Sequence, residues 1–211
     1  MIVNKDLVML LEQSEIDCLY ARLSAIREME GNPMGVDIRT FGNATAFSVR
    51  NIPGPSFNTV KGLRDGDEKY VEEIMAFYTD KGIPVRIELT PAHVSTDFLT
   101  YVSEKGFYQQ DFHAALYRTT EGIEREERSA EPITIRTLER EEFDLFAQVY
   151  TKGFQMPDFL KRGVMQNNEI LYDNPNWHFY MASIGHKPAG IAVLFMKDQV
   201  ATLAAATTIP I

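Results

Sequence analysis

One cysteine stands in the whole chain, Cys18, so no internal disulfide can form and a reducing, cytoplasmic setting is expected. Cys18 lies among Ile16, Leu19 and Leu23 in a helical pattern with no base beside it. It reads as a buried structural thiol; a catalytic thiol would want such a base. His113, His178 and His186 are scattered, with no metal-ligand spacing among them or with Cys18, and no metal is expected. No apolar run approaches the roughly 20 residues of a membrane helix. The N-terminus lacks the basic-then-apolar pattern of a signal peptide, so no membrane partner is expected. Positive charge is also scarce: 21 Lys and Arg face 30 Asp and Glu, a net charge of -9. That balance argues against nucleic acid or an anionic membrane surface as partner, though an anionic cofactor needs only a local positive site. There is no G-x-S-x-G, no Walker loop and no dinucleotide-binding glycine fingerprint.

What remains is ordinary globular material. A chain of 211 residues, 45% hydrophobic and 24% charged, holds one large or two small domains, each with its own core. Asp6 to Glu30 predicts helix in one or two pieces, ended by Gly31-Asn32-Pro33. Val36 to Thr40 and Ala44 to Arg50 flank Phe41-Gly42-Asn43 as a hairpin. After Pro53-Gly54-Pro55, Phe57 to Leu63 predicts a third strand. Asp65, with Glu68 three residues on, suggests a capping box for a helix running to Lys81, with Gly82 as its stop. Pro84 to Leu89 predicts a strand, Ser95 or Thr96 caps a short helix that Gly106 ends, and Phe107 to Arg118 predicts a long strand.

Thr119 to Pro132 is polar, dense in glutamate and arginine, and almost free of core residues. It divides the chain into a domain over 1–118, a charged linker over 119–132 and a domain over 133–211. The second domain opens on a strand with Ile133 and Ile135. A helix from Glu139 to Lys152 follows, with Phe143, Phe146, Ala147 and Tyr150 on one face and Gly153 as its stop. Pro157 opens another helical stretch to about Tyr172. Three strands follow from Trp177, with turns at Ser183–Lys187 and Lys197-Asp198. The last of them is rich in alanine at Leu203–Thr207. Alanine is depleted in strands, so small side chains there suggest that something approaches the backbone closely.

The order strand, helix, helix, strand, strand, strand resembles the first half of a GNAT-superfamily N-acetyltransferase. The Gly190-Ile191-Ala192-Val193 run is similar to that family's third strand, and Ala205 to Pro210 to its run into the cofactor loop. The fold class expected is α/β (mixed α+β): two GNAT-like domains with mostly antiparallel sheets flanked by helices, the second incomplete. The resemblance implies an N-acetyltransferase that uses acetyl-CoA as cosubstrate. The acceptor would be a small-molecule or peptide amine that attacks the thioester directly. It places Ala206, Thr207 and Thr208 along the pantetheine arm. The family's R-x-x-G-x-G/A loop, which holds the pyrophosphate, would begin at residue 212 and is not in the sequence. At the equivalent place in the first domain stands Lys61-Gly62-Leu63-Arg64-Asp65-Gly66-Asp67-Glu68. It lacks those glycines and crowds three acids where an anion would sit. The first domain therefore resembles a degenerate, non-binding copy.

Three further residues are candidates for a substrate cleft: Asn58, Glu88 and His93. Asn58 and His93 are candidates for a groove between the domains, with a surface or capping position as the plainer reading for His93. Glu88 alternates with Ile87 and Leu89, so a solvated strand face is the plainer reading for it. No catalytic acid is assigned. With the strand Val200–Thr207 uncovered, a homodimer through the C-terminal region or aggregation is expected, as is weak binding of acetyl-CoA. The reading of another class is a non-catalytic GNAT-like binding or assembly protein.

Overall fold

The computed structural model describes residues 3–52, 54–120 and 133–209. Most of the expected linker, 121–132, lies outside them, as do Pro53, Pro210 and Ile211. The chain divides into two compact units, Met1–Ala115 and Leu116–Ile211. The fold is mixed α+β. Its described residues form a three-stranded and a four-stranded antiparallel sheet with five α-helices.

In unit 1, α1 (Lys5–Glu28) is one continuous helix, started by Asn4, whose Oδ1 accepts from Leu7 N at 2.9 Å. β1 (Val36–Phe41) and β2 (Ala44–Val49) pair from Val36↔Val49 to Phe41↔Ala44, leaving Gly42-Asn43 as the two-residue turn. β3 (Thr59–Lys61) pairs with the other side of β2. β2 is buried on both faces because it divides two cores. Ala44 and Ala46 pack with Val71, Ile74, Phe77 and Phe98 from α2 (Val71–Thr79) and α3 (Thr96–Glu104). Phe47 and Val49 point the other way, onto Ile16, Leu23 and Ile26 of α1.

Several expectations for this unit are corrected. The capping box does not form. Asp65 instead accepts from Ser95 N at 2.8 Å and Ser95 Oγ at 2.9 Å, steadying the cap of α3, where Ser95 Oγ in turn accepts from Phe98 N. Pro84–Leu89 makes no ladder. It touches β3 through one parallel bridge, Val60↔Ile87, in which Val60 N donates to Arg86 O and Glu88 N to Val60 O, both at 2.9 Å. Phe107–Arg118 forms no strand among the described residues, leaving Tyr108, Phe112 and Leu116 at 83%, 91% and 95% exposed. Alternation states what a strand would bury, but only a free neighbouring edge lets it pair.

In unit 2, β4 (Ile133–Thr137), β5 (Trp177–Ile184), β6 (Lys187–Lys197) and β7 (Val200–Thr208) lie in that order, so β4 and β7 are the edges. Asp198 and Gln199, at φ +49° and +68°, make the tight β6–β7 turn. α4 (Phe143–Gly153) follows a 3₁₀ turn at Arg140–Glu142 whose start is capped reciprocally by Glu139 and Glu142. α5 (Lys161–Glu169) packs against α4. One face of the sheet is closed by aromatic packing: the Phe143 and Phe146 rings meet Phe179 at 5.1 and 5.7 Å, and Trp177 meets Phe195 at 4.9 Å. The opposite face carries Ile135 and Leu203, 69% and 61% exposed, and no described element covers it.

Candidate functional site

The first polar constellation belongs to unit 1, where α1 meets the segment after β3. Glu12 and Glu15 lie three apart on α1, and so share a face. Glu88 and Thr90 lie two apart in the segment after β3, Glu88 bonded to Thr59 and Lys61 and Thr90 to Glu12. Between them comes Lys61 of β3, 9% exposed as a residue. Its Nζ donates to Glu88 Oε2 at 2.5 Å and to Glu15 Oε2 at 2.9 Å, while Thr59 Oγ1 donates to Glu88 Oε1 at 3.0 Å. Burial of the Lys61 ammonium lowers its pKa, but the hydrogen bonds and charges of Glu88 and Glu15 outweigh it and leave the pKa raised. For Glu88, burial pushes the pKa up, and the Lys61 bond and charge, with Thr59 and His113, bring it below the ordinary value. The two partners shift as a mutually stabilised pair should.

Glu15, Glu88 and His113 bring ligand atoms within 4.8 Å of one another. Lys61 bonds both carboxylates, so the positive charge such a group attracts is already supplied by the chain. One turn along α1, Glu12 accepts from Thr90 Oγ1 at 2.5 Å. His93 Nδ1 lies 2.9 Å from Glu12 Oε2, in ion-pair range but off the direction a hydrogen bond requires, and neither ring nitrogen has a hydrogen-bond partner. The His93 side chain is only 7% exposed.

Of the three expected cleft residues, Glu88 and His93 thus come together inside unit 1, in neighbouring ties to α1. The plain reading of Glu88 as a solvated strand face is corrected: Lys61, which had not been singled out, takes it into a half-buried ion pair. His93 is corrected in the same sense, being buried on Glu12. Asn58 is separate and structural. Its Oδ1 accepts from Val49 N at 2.8 Å and its Nδ2 donates to Ile52 O and Gly54 O at 3.0 Å, so its polar capacity is spent on the loop before β3. The sequence signal for the network was the Glu12/Glu15 spacing inside an otherwise apolar helical face. Cys18 is buried, with burial pushing its thiol up to about 11, as suits a structural residue.

The second constellation belongs to unit 2. A groove of about 330 Å³ on the open sheet face is lined by Ile135, Tyr180, Ala182, Gly190, Ala192 and the end of β7, including Ala206, Thr207 and Thr208. Ala206 and Thr208 are exposed there, and Thr207 is half-buried. A Cβ added at Gly153 would overlap the Thr207 side chain, so Thr207 points under the end of α4 and offers the groove its backbone. The close approach expected at these small residues is therefore in part that of α4 itself. Because β7 is an edge, its outer N–H and C=O groups have no ladder partner among the described residues.

No family model matches the chain, and no curated protein sequence matches it. A solved structure similar in fold is described as the crystal structure of a functionally unknown conserved protein from Staphylococcus epidermidis ATCC 12228. It shares 12% identity at a TM-score of 0.50, over 88% of this chain and 75% of that one. No helix of the described residues is long and apolar enough to cross a membrane.

Proposed function

We propose that the chain is a GNAT-type, acetyl-CoA-dependent N-acetyltransferase in which β7 carries the pantetheine arm and unit 1 is a GNAT-like unit that takes no cofactor. The observation that supports this is the free edge of β7: unpaired strand amides beside a groove floored by Gly190, Ala192, Ala206 and Thr208. An extended pantetheine adds to such an edge as another strand would, through main-chain hydrogen bonds. A β7 N–H would polarise the thioester carbonyl. The acceptor amine forms the N–C bond, the C–S bond breaks, and the amine proton ends on the departing thiol. The net charge of -9 favours a cationic acceptor, and the single buried cysteine fits a reducing, cytoplasmic setting.

In this reading the contacts that unit 2 gives the cosubstrate are to the pantetheine arm alone, through the β7 edge. Calorimetry should give acetyl-CoA and acetyl-pantetheine similar dissociation constants, on the order of 1 mM. Acetyl-CoA binding tenfold or more tighter than acetyl-pantetheine would reveal a pyrophosphate site that this reading lacks, and no binding of either would refute it. A second reading, a non-catalytic binding or assembly protein that dimerises through its C-terminal region, is favoured by the uncovered face bearing Ile135 and Leu203 and by an uncharged edge, Val200–Thr208. Sedimentation of a monodisperse monomer counts against it.

A further inference from the structure

The loop after β3 and the tip of the β1–β2 hairpin enclose a carboxylate. Asp67 is 2% exposed. Its Oδ1 accepts from Asn43 N at 3.4 Å and Asn43 Nδ2 at 3.2 Å, and its Oδ2 from Asn43 Nδ2 and Arg64 N, each at 3.2 Å. Asp67 occupies the N-cap position of the 3₁₀ turn Glu68–Tyr70 yet makes no cap hydrogen bond, because its side chain turns back into the loop. No lysine or arginine ion-pairs with it among the described residues. The backbone is shaped around it. Gly62 and Gly66 stand at φ +86° and +94°, and a Cβ at Gly42 (φ +61°) would overlap Asp67 Oδ1 and the Tyr70 ring. Burying a charge without a countercharge is costly unless convergent dipoles replace its water. Here one main-chain N–H meets each carboxylate oxygen and the Asn43 side-chain amide bridges both, so the donors together replace the carboxylate's water.

We propose that Asp67 is a resident anion: its carboxylate fills a carboxylate-sized anion pocket built by Asn43 and Arg64, which a small free carboxylate can refill when the side chain is removed. The donors belong to the hairpin tip and the loop, and Asp67 is the tie that holds those two segments together. The inference does not depend on the acetyltransferase reading, since it needs only the loop and its donors. Its consequence is specific. Removing the carboxylate leaves a polar hole of that group's own size, which formate fits and chloride does not reproduce.

The test compares Asp67→Ala with the unaltered chain in formate and chloride at equal ionic strength. The variant should lose several degrees in Tm in chloride and regain at least half of that loss in formate, beyond the general salt effect that the unaltered chain shows in the same buffers. If the variant is unfolded in chloride, the same comparison is read by circular dichroism as the folded fraction that formate restores. Asp67→Asn, which keeps the size and one acceptor oxygen, should fold and respond to formate no more than the unaltered chain does. No recovery of Asp67→Ala in formate would overturn the proposal. So would an equal response of all three proteins to formate.

Discussion

Both units have apolar cores, but they differ in what fastens their segments onto those cores. Unit 1 is fastened by buried or half-buried polar ties: Lys61 between two glutamates, Glu12 against Thr90 and His93, Asn58 inside its loop, and Asp67 in its pocket. Tyr78 belongs to the same set, its hydroxyl lying 2.7 Å from Phe47 O and 2.9 Å from Thr59 O, where α2 crosses the β2–β3 pair. Unit 2 is fastened by rings, with Phe143, Phe146, Phe179, Trp177 and Phe195 stacked edge to face or tilted beneath one side of its sheet. Polar ties are directional and fix which segment meets which, so unit 1 can hold segments that make almost no ladder. Ring packing is less directional, so unit 2 relies on long regular strands for its geometry.

The chain's one tryptophan, Trp177, lies in unit 2, so its fluorescence follows that unit while circular dichroism follows both. The largest expected effect is Phe179→Ala, which removes a ring buried among two others and should cost about 3–5 kcal/mol, read by tryptophan fluorescence in urea. Asn58→Ala comes next. It strands Val49 N and two carbonyls, and should cost about 2–3 kcal/mol in the circular dichroism transition while leaving the fluorescence midpoint in place. Coincident shifts of both probes would break the comparison between the units.

Lys61→Met sharpens it further, at about 1–2 kcal/mol near neutral pH. Glu88 has a lowered pKa, so its contribution is present above the ordinary carboxyl value of 4.5 and lost as pH falls through its folded value. Without Lys61 that pKa should rise, and the acid limb of the stability curve should move to higher pH. A limb that stays put would mean the ion pair is not what holds Glu88. Gly153→Ala is the smallest effect, about 1 kcal/mol, confined to the fluorescence transition and partly relieved by adding Thr207→Ala.

Regular elements were legible in the sequence where pattern and punctuation agreed. Phe41-Gly42-Asn43 marked the first hairpin, Ser95 or Thr96 the start of α3, and Trp177–Thr207 the three-stranded run. Legibility failed where a partner far along the chain decides the outcome. Nothing local to Phe107–Arg118 says that no edge awaits it, and nothing local to Asp65 says that Ser95, thirty residues on, claims its carboxylate. The candidate site divides similarly. Glu88 and His93 stand out by their chemistry and Glu12 and Glu15 by their spacing on α1, but that Lys61 and Thr90 join them to one another is decided only by tertiary contact. Ala206–Thr208 were placed by resemblance, and the Gly153 contact that turns Thr207 away from the groove is a packing detail no sequence pattern encodes.

Amide NMR shifts during an acetyl-CoA titration show whether unit 2 and not unit 1 receives the acetyl-CoA arm. Signals of Ala206, Thr207, Thr208 and Gly190 should move together, while those of Asn43, Arg64 and the rest of the 61–68 loop stay fixed. Movement of the 61–68 loop with β7 unmoved would contradict that placement.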